Sequence, residues 1–210
     1  VLPLVCLPGL LCDAGIFDPL RTALAKSVTD LRTMDLPSDD SFDSFVAQIA
    51  ADLPPHSALL GMSMGSYLAL ALAVLVPDKV AGLVLIGTNA AADSPRAAAL
   101  RGKVTAWAAR EGMPALAASI ADSMLSPARR TDADLRAVIL QMAEATGLET
   151  FTAHQTALAG RPDQTSQLAA ISCPVLVLTG SEDTITPPAT GRAVAEGVAN
   201  GRFVLLDGVG

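Results

Sequence analysis

A serine with a glycine two places away on either side, Gly61-Met62-Ser63-Met64-Gly65, sits between an apolar run ending at Met62 and a second one, YLALALAVLV, that stops at Pro77. A hydroxyl becomes a useful nucleophile when it stands clear of its neighbours and beside a base. A very sharp strand-to-helix turn presents it that way, but forces strained backbone angles on the serine, and side chains at both flanking positions would collide. The glycines remove those side chains, and the N-terminus of the following helix favours negative charge developing there. In a chain of this composition the five-residue pattern arises by chance about once in ten. The strand pattern before it and the helix pattern after it are what mark Ser63 as a candidate nucleophile rather than an idle serine in a turn.

Two other loops carry matching chemistry. Leu7-Pro8-Gly9-Leu10-Leu11 follows the first apolar run. Acyl transfer needs two backbone N–H donors aimed at the tetrahedral oxyanion, one from the residue after the nucleophile, here Met64, and one from an earlier loop, where Leu10 is the natural donor. An ordinary Pro-Gly turn is the plainer alternative. The third loop, Gly180 to Pro187, leaves the run PVLVLT and holds Glu182 and Asp183. A carboxylate at the tip of a strand can orient a histidine and stabilise its imidazolium form; Asp183 is the first choice and Glu182 the alternative, against solvated acids that merely cap a helix.

Neither of the two histidines suits the role of base. His56 precedes Ser63 by seven residues in the same strand pattern, which puts it about 20 Å away at the wrong end of the sheet. His154 falls in the last helical pattern before the final strands, where it could face a pocket but is more simply a packing residue.

The elements that must position these loops alternate. Strand patterns at Val1–Leu7, Thr29–Met34, Ser57–Met62 and Val80–Gly87 are separated by helix patterns at Ala14–Lys26, Ser41–Leu53, whose start Ser41 could cap, and Met64–Val76. That is the signature of a parallel sheet flanked by helices, whose active sites gather at the carboxyl ends of the strands. From 91 to 170 only helical patterns occur, punctuated by Gly112, Gly147 and Gly160, with Ser94-Pro95 and Thr131 before Asp132 as start signals. Leu135, Ile139 and Met142 fall on one face of the third of these helices. The sheet resumes at Pro174–Gly180 and Arg202–Leu206, around a helix at Pro188–Val198. The expected organisation is an α/β core of residues 1–90 and 171–210, with an all-helical cap at 91–170.

Composition narrows the function classes. The 210 residues are 51% hydrophobic and 17% charged with a net charge of −7, a folding chain with no electrostatic appetite for nucleic acid or anionic membrane. Cys6, Cys12 and Cys173 are odd in number and unpaired in spacing, which argues against a disulfide framework or a zinc site and for a reducing, cytoplasmic setting. The longest apolar run has ten residues, half of what a membrane-spanning helix needs (~20 residues). The opening VLPLVCLPGLLC lacks a basic leader and is broken by Pro8-Gly9, so it reads as a strand entering a loop rather than a signal peptide.

Nearly the whole chain, in the order strand and oxyanion loop, nucleophile elbow, helical insert, acid loop, resembles the α/β-hydrolase superfamily. It is most similar to the small hydrolases that include pimeloyl-carrier-protein methyl esterases, enol-lactonases and cofactor-free haloperoxidases; LPGLLCDAGIF and FTAHQTALAGRPD are the runs that carry this. Two departures are visible: Pro8-Gly9 stands where most relatives have His-Gly, which leaves a backbone donor intact, and Ser66 where S-M-G-G is common, a small residue that changes little. The resemblance implies a Ser63–histidine–Asp183 triad with its histidine just after Gly210, followed by a closing helix, and hence that the 210 residues are a piece of a longer chain. It implies a serine hydrolase acting on a carboxylic ester or related acyl bond of a small, largely apolar molecule, with no cofactor and no metal. Lactone opening, C–C bond hydrolysis, perhydrolysis and non-catalytic ligand binding stay open, as does the oligomeric state. Trp107, Met113 and Phe151 are candidate pocket contacts that core packing explains more simply. Cys12 lies in the oxyanion loop and could sit near the site but is more simply a small buried apolar residue, and Arg161 and Asp163 either pair or tether the cap.

Overall fold

The computed structural model describes residues 2–210; Val1, at the start of the first predicted strand, lies outside them. Six strands, β1 (Leu4–Leu7), β2 (Leu31–Thr33), β3 (Ser57–Met62), β4 (Val80–Ile86), β5 (Val175–Gly180) and β6 (Gly201–Leu206), form one sheet in the order β2-β1-β3-β4-β5-β6. Every adjacent pair is parallel, so all six carboxyl ends open on the same side.

The strands alternate their side chains between two faces, as a two-residue period requires. Val5, Leu7, Leu59, Leu83 and Leu85 point into the larger core, under α2 (Phe42–Asp52), α3 (Met64–Leu75) and α7 (Pro188–Gly197). Cys6, Leu60, Val84 and Ile86 point the other way, onto Phe17 and Leu20 beside α1 (Asp18–Leu24). Because both of their faces are covered, β1, β3 and β4 read as apolar runs. α3 is apolar all round for the same reason, with nine of its twelve residues buried.

Helix starts follow the sequence signals. Ser41 Oγ accepts from Ser44 N at 3.3 Å, and Ser94 Oγ from Ala97 N at 3.2 Å with Pro95 in the first helical turn. Between β4 and β5 the chain forms α4 (Pro95–Glu111), α5 (Met113–Met124) and α6 (Ala133–Ala159). α6 is capped by Asp132, whose carboxylate accepts from Asp134 N and Leu135 N, rather than by Thr131. Gly147 interrupts α6 with φ 72°, a left-handed angle that glycine takes without a Cβ penalty. The expected helix over Ala14–Lys26 divides into a 3-10 turn at Ala14–Phe17 and the shorter α1, entered at Asp18-Pro19.

Candidate active site

Ser63 joins β3 to α3 with φ 49° and ψ −116°, a conformation that costs a non-glycine residue roughly 1–3 kcal/mol. Its neighbours hold it there. Ser63 N donates to Ile86 O at 2.8 Å, and the Ser63 carbonyl accepts from Ser66 N at 2.8 Å and from the Ser66 hydroxyl at 2.6 Å. Sequence reasoning gave Ser66 little consequence. In the structure its buried hydroxyl braces the strained turn with a bond that glycine could not make.

The glycines serve two contacts. A Cβ on Gly61 would lie 2.6 Å from Ser66 Cα, inside the turn itself, and one on Gly65 would lie 2.6 Å from the Leu7 carbonyl carbon and 2.7 Å from Pro8 O. Gly65 is therefore required by the approach of the β1 loop as well as by the turn. That loop closes over the serine from the other side: a Cβ on Gly9 would sit 3.4 Å from Ser63 Cβ. The loop turns with Cys12 N donating to Gly9 O at 3.2 Å, and Leu11, buried, takes φ 60°. Among the hydrogen bonds of the described residues, neither Leu10 N–H nor Met64 N–H donates to an acceptor, which leaves both free for a ligand oxygen. Cys12 Sγ donates to Leu10 O at 3.6 Å, and burial pushes its thiol up to about 11, so it stays protonated at neutral pH.

Asp183 is fixed as firmly. Its Oδ1 accepts from Ile185 N at 2.9 Å and Thr186 N at 2.8 Å, and its Oδ2 accepts from the Thr186 hydroxyl at 2.7 Å. Gly87, at φ 57°, ends β4 beside this carboxylate, and a Cβ there would lie 2.9 Å from Thr186 Oγ1. Glu182 is exposed. Its N–H donates to Val209 O at 2.8 Å, and Ser181 N donates to Leu206 O at 2.9 Å, so residues 207–210 are laced to the acid loop.

Ser63, Asp183 and Gly210 meet in one cavity of about 280 Å³ at the carboxyl ends of the strands, together with Cys12 and Leu11. Its roof is Ile120, Ser123, Met124 and Leu125 from α5 and the turn after it, and Leu135, Val138, Ile139 and Met142 from α6. Sequence periodicity found the Leu135–Ile139–Met142 face but could not say that a cavity, rather than core, lies beneath it. Ile16, Ile120 and Ile185 carried no signal at all. Strand order explains the location: β1 and β3 are neighbours whose onward connections run to opposite sides, and such a switch point opens a crevice above the sheet.

Other sequence candidates lie elsewhere. His56 is exposed, in the turn before β3. His154 is buried, its Nε2 is 3.0 Å from Pro37 O, and its ring meets Phe45 edge-on with centroids 5.3 Å apart. Burial lowers its pKa, against the opposing pull of the Pro37 carbonyl. Trp107, Met113 and Phe151 pack within the helical insertion around Leu116 and Ala143 and are not among the cavity walls. Arg161 pairs with Asp93 at 3.4 Å rather than with Asp163, and its guanidinium lies 4.1 Å from the centroid of the Tyr67 ring. Asp93 also holds Arg101 at 2.5 Å, while Asp163 accepts from Ala92 N at 3.2 Å. Gln164 completes the junction, donating from its backbone to Ala90 O at 2.9 Å and from its side chain to Tyr67 O at 3.1 Å. The chain entering the insertion is thus tied to the chain leaving it and to α3. Among the described residues no cluster of three or more His, Cys, Asp or Glu side chains is arranged to hold a metal, and no helix is long and apolar enough to cross a membrane.

Comparison with known proteins bears on the family and the fold. Residues 29–209 match the model of the family described as serine aminopeptidase, S33. A Mycobacterium tuberculosis protein named as a non-heme bromoperoxidase, BpoC, is 29% identical over 164 residues, 76% of this chain and 62% of that protein's length; the chain thus spans less than two thirds of it. A pimeloyl-[acyl-carrier protein] methyl ester esterase of Neisseria meningitidis is 29% identical over 82% of this chain and 70% of its own. Among solved structures, a thermophilic esterase from Thermogutta terrifontis superposes with TM-score 0.88 at 29% identity, covering 100% of this chain and 82% of that one. The enol-lactonase from Burkholderia xenovorans shares the fold, with TM-score 0.87 at 23% identity over 100% of this chain and 84% of that one.

Proposed function

The chain belongs to the α/β-hydrolase-fold family described as serine aminopeptidase, S33, and from that premise we propose that it is a serine hydrolase cleaving a carboxylic ester or related acyl bond of a small, largely apolar substrate. Ser63 Oγ attacks the carbonyl carbon while its proton passes to a histidine that follows Gly210. Asp183 holds that imidazole in the productive tautomer and stabilises its cationic form. The Leu10 and Met64 N–H groups receive the oxyanion, each supplying on the order of 3 kcal/mol in the transition state. The tetrahedral adduct then collapses, the imidazolium returns its proton to the departing alcohol, and water releases the acyl group from Ser63 by the same steps. No step calls for a metal or an organic cofactor. Residues 1–90 and 171–210 act as the catalytic core and residues 91–170 as the cap over the acyl group. Three free thiols support a cytoplasmic setting.

The observation that carries the reading is the meeting of Ser63, Asp183 and Gly210 in one apolar cavity beside two unengaged N–H donors. An ester is favoured over an aminopeptidase substrate because Asp183, already engaged by three donors, is the sole carboxylate among the described walls, whereas a free α-ammonium group needs an anionic partner of its own. The test is labelling of the full-length protein with a fluorophosphonate. Modification at Ser63, lost in Ser63→Ala together with ester hydrolysis, is the expected result; an unlabelled full-length protein that hydrolyses no ester overturns the proposal.

A further inference from the structure

The walls of the cavity carry a pattern that bears on substrate charge. Around Ser63 stand Leu11, Ile16, Ile86, Ile120, Ile139 and Met142, and no Lys, Arg or His contributes among the described residues. The one carboxylate, Asp183, accepts from Ile185 N, Thr186 N and the Thr186 hydroxyl, which leaves one acceptor site on Oδ2 for the imidazole. Of the cap arginines that flank the roof in sequence, Arg129 pairs with Asp132 at 2.8 Å and Arg136 with Asp122 at 2.6 Å, while Arg130 is exposed. None of the three lines the cavity. Residues 91–170 hold eight acids against eight Lys and Arg, so the net charge of −7 falls on the remainder, which holds thirteen against six. An anionic group entering from solvent would lose its hydration and find no Lys or Arg on the described walls, only the Asp183 carboxylate. The imidazole proposed to follow Gly210 must be neutral when substrate binds, since it has yet to accept the Ser63 proton, and so supplies no cation at that point.

We propose that this cavity is a charge-excluding acyl site, which takes a neutral aliphatic chain and rejects one that ends in a carboxylate. The inference rests on the hydrolase reading of Ser63 and narrows its substrate class. At about 280 Å³ the cavity is at the small end of ligand sites, suited to a short or medium acyl chain.

Three methyl esters of similar length separate charge from size: methyl heptanoate, monomethyl adipate and dimethyl adipate. With the full-length enzyme, kcat/KM for methyl heptanoate should exceed that for monomethyl adipate by about 100-fold. Dimethyl adipate, with the charge masked, should come within about fivefold of methyl heptanoate. Equal turnover of the half-ester and the neutral esters overturns the proposal. A cation introduced at the rim sharpens it: Val138, a cavity wall 45% exposed, changed to Arg should raise half-ester turnover by about tenfold over Val138→Gln. Calorimetric binding of the same esters to Ser63→Ala separates the two claims, because binding needs no base. Preferential binding of the neutral esters with no hydrolysis by the parent enzyme would sink the hydrolase reading and keep the charge rule. Equal binding of the half-ester sinks the charge rule whatever the enzyme hydrolyses.

Discussion

The floor and the roof of the cavity are held by different means. On the floor, Ser63, Leu10, Met64 and Asp183 owe their places to backbone: a left-handed serine bonded to Ile86 O, a β1 loop in van der Waals contact with the elbow, a carboxylate gripped by two amides and a hydroxyl. On the roof, Ile120, Met124, Ile139 and Met142 are placed by side-chain packing between α5 and α6, and the insertion is anchored at its root by the Asp93–Arg101–Arg161 cluster. Bond making demands a geometry good to fractions of an ångström, which backbone hydrogen bonds can supply. Binding an aliphatic chain asks only for apolar area of about the right shape, which flexible side chains provide. Changes to the floor should therefore act on turnover, and changes to the roof on substrate affinity.

The largest effect tests the floor. Asp183→Asn should lower kcat by about 10⁴ with thermal unfolding nearly unchanged, whereas Glu182→Gln, exposed and outside the cavity, should stay within about twofold. The reverse ranking, read by steady-state kinetics, would move the acid to Glu182. At the root of the roof, Arg161→Met strips a cation with 2% exposed side chain from Asp93; Arg101 still partners that carboxylate, so the loss should be about 2–3 kcal/mol in denaturant unfolding. Within the roof, Ile139→Ala should raise KM by up to about tenfold and leave kcat within about threefold. A fall in kcat as steep as that of Asp183→Asn would erase the distinction between the two halves.

The smallest effect is a pH dependence at the seam between the insertion and the core. His154 is buried with its pKa lowered below the usual 6.5, so the unfolded chain takes up the proton first as the solution is acidified. The resulting stability is fully present above 6.5 and declines as pH falls from there toward the folded-state value. His154→Phe, which preserves an aromatic contact with Phe45, should flatten that decline in urea titrations between pH 7 and about 5. A slope unchanged by the substitution would assign the acid sensitivity to other groups.

What was legible in the sequence is what short-range sterics dictate. The elbow could be read because a serine at positive φ needs small neighbours, the caps at Ser41 and Ser94 because unpaired amides need acceptors, and the strands because buried parallel strands must be apolar. Asp183 could be put ahead of Glu182 from its place after a strand; that Asp183 lines the cavity while Glu182 is exposed depends on how the loop turns. The second duty of Gly65, toward Leu7 O, the bracing hydroxyl of Ser66 and the pairing of Arg161 with Asp93, 68 residues away, depend on which distant segments come together.

The sequence by itself determined a parallel α/β sheet, a helical insertion and a sharp glycine-flanked strand-to-helix turn at Ser63, because periodicity and backbone sterics act over a few residues. Only the tertiary structure decided that β1 lies beside β3, so that the Leu10 loop and Ser63 share one crevice, and that the apolar face of α6 roofs a cavity instead of filling a core. Strand order and helix docking are settled by burial summed over the whole chain, and no local stretch of residues carries that sum.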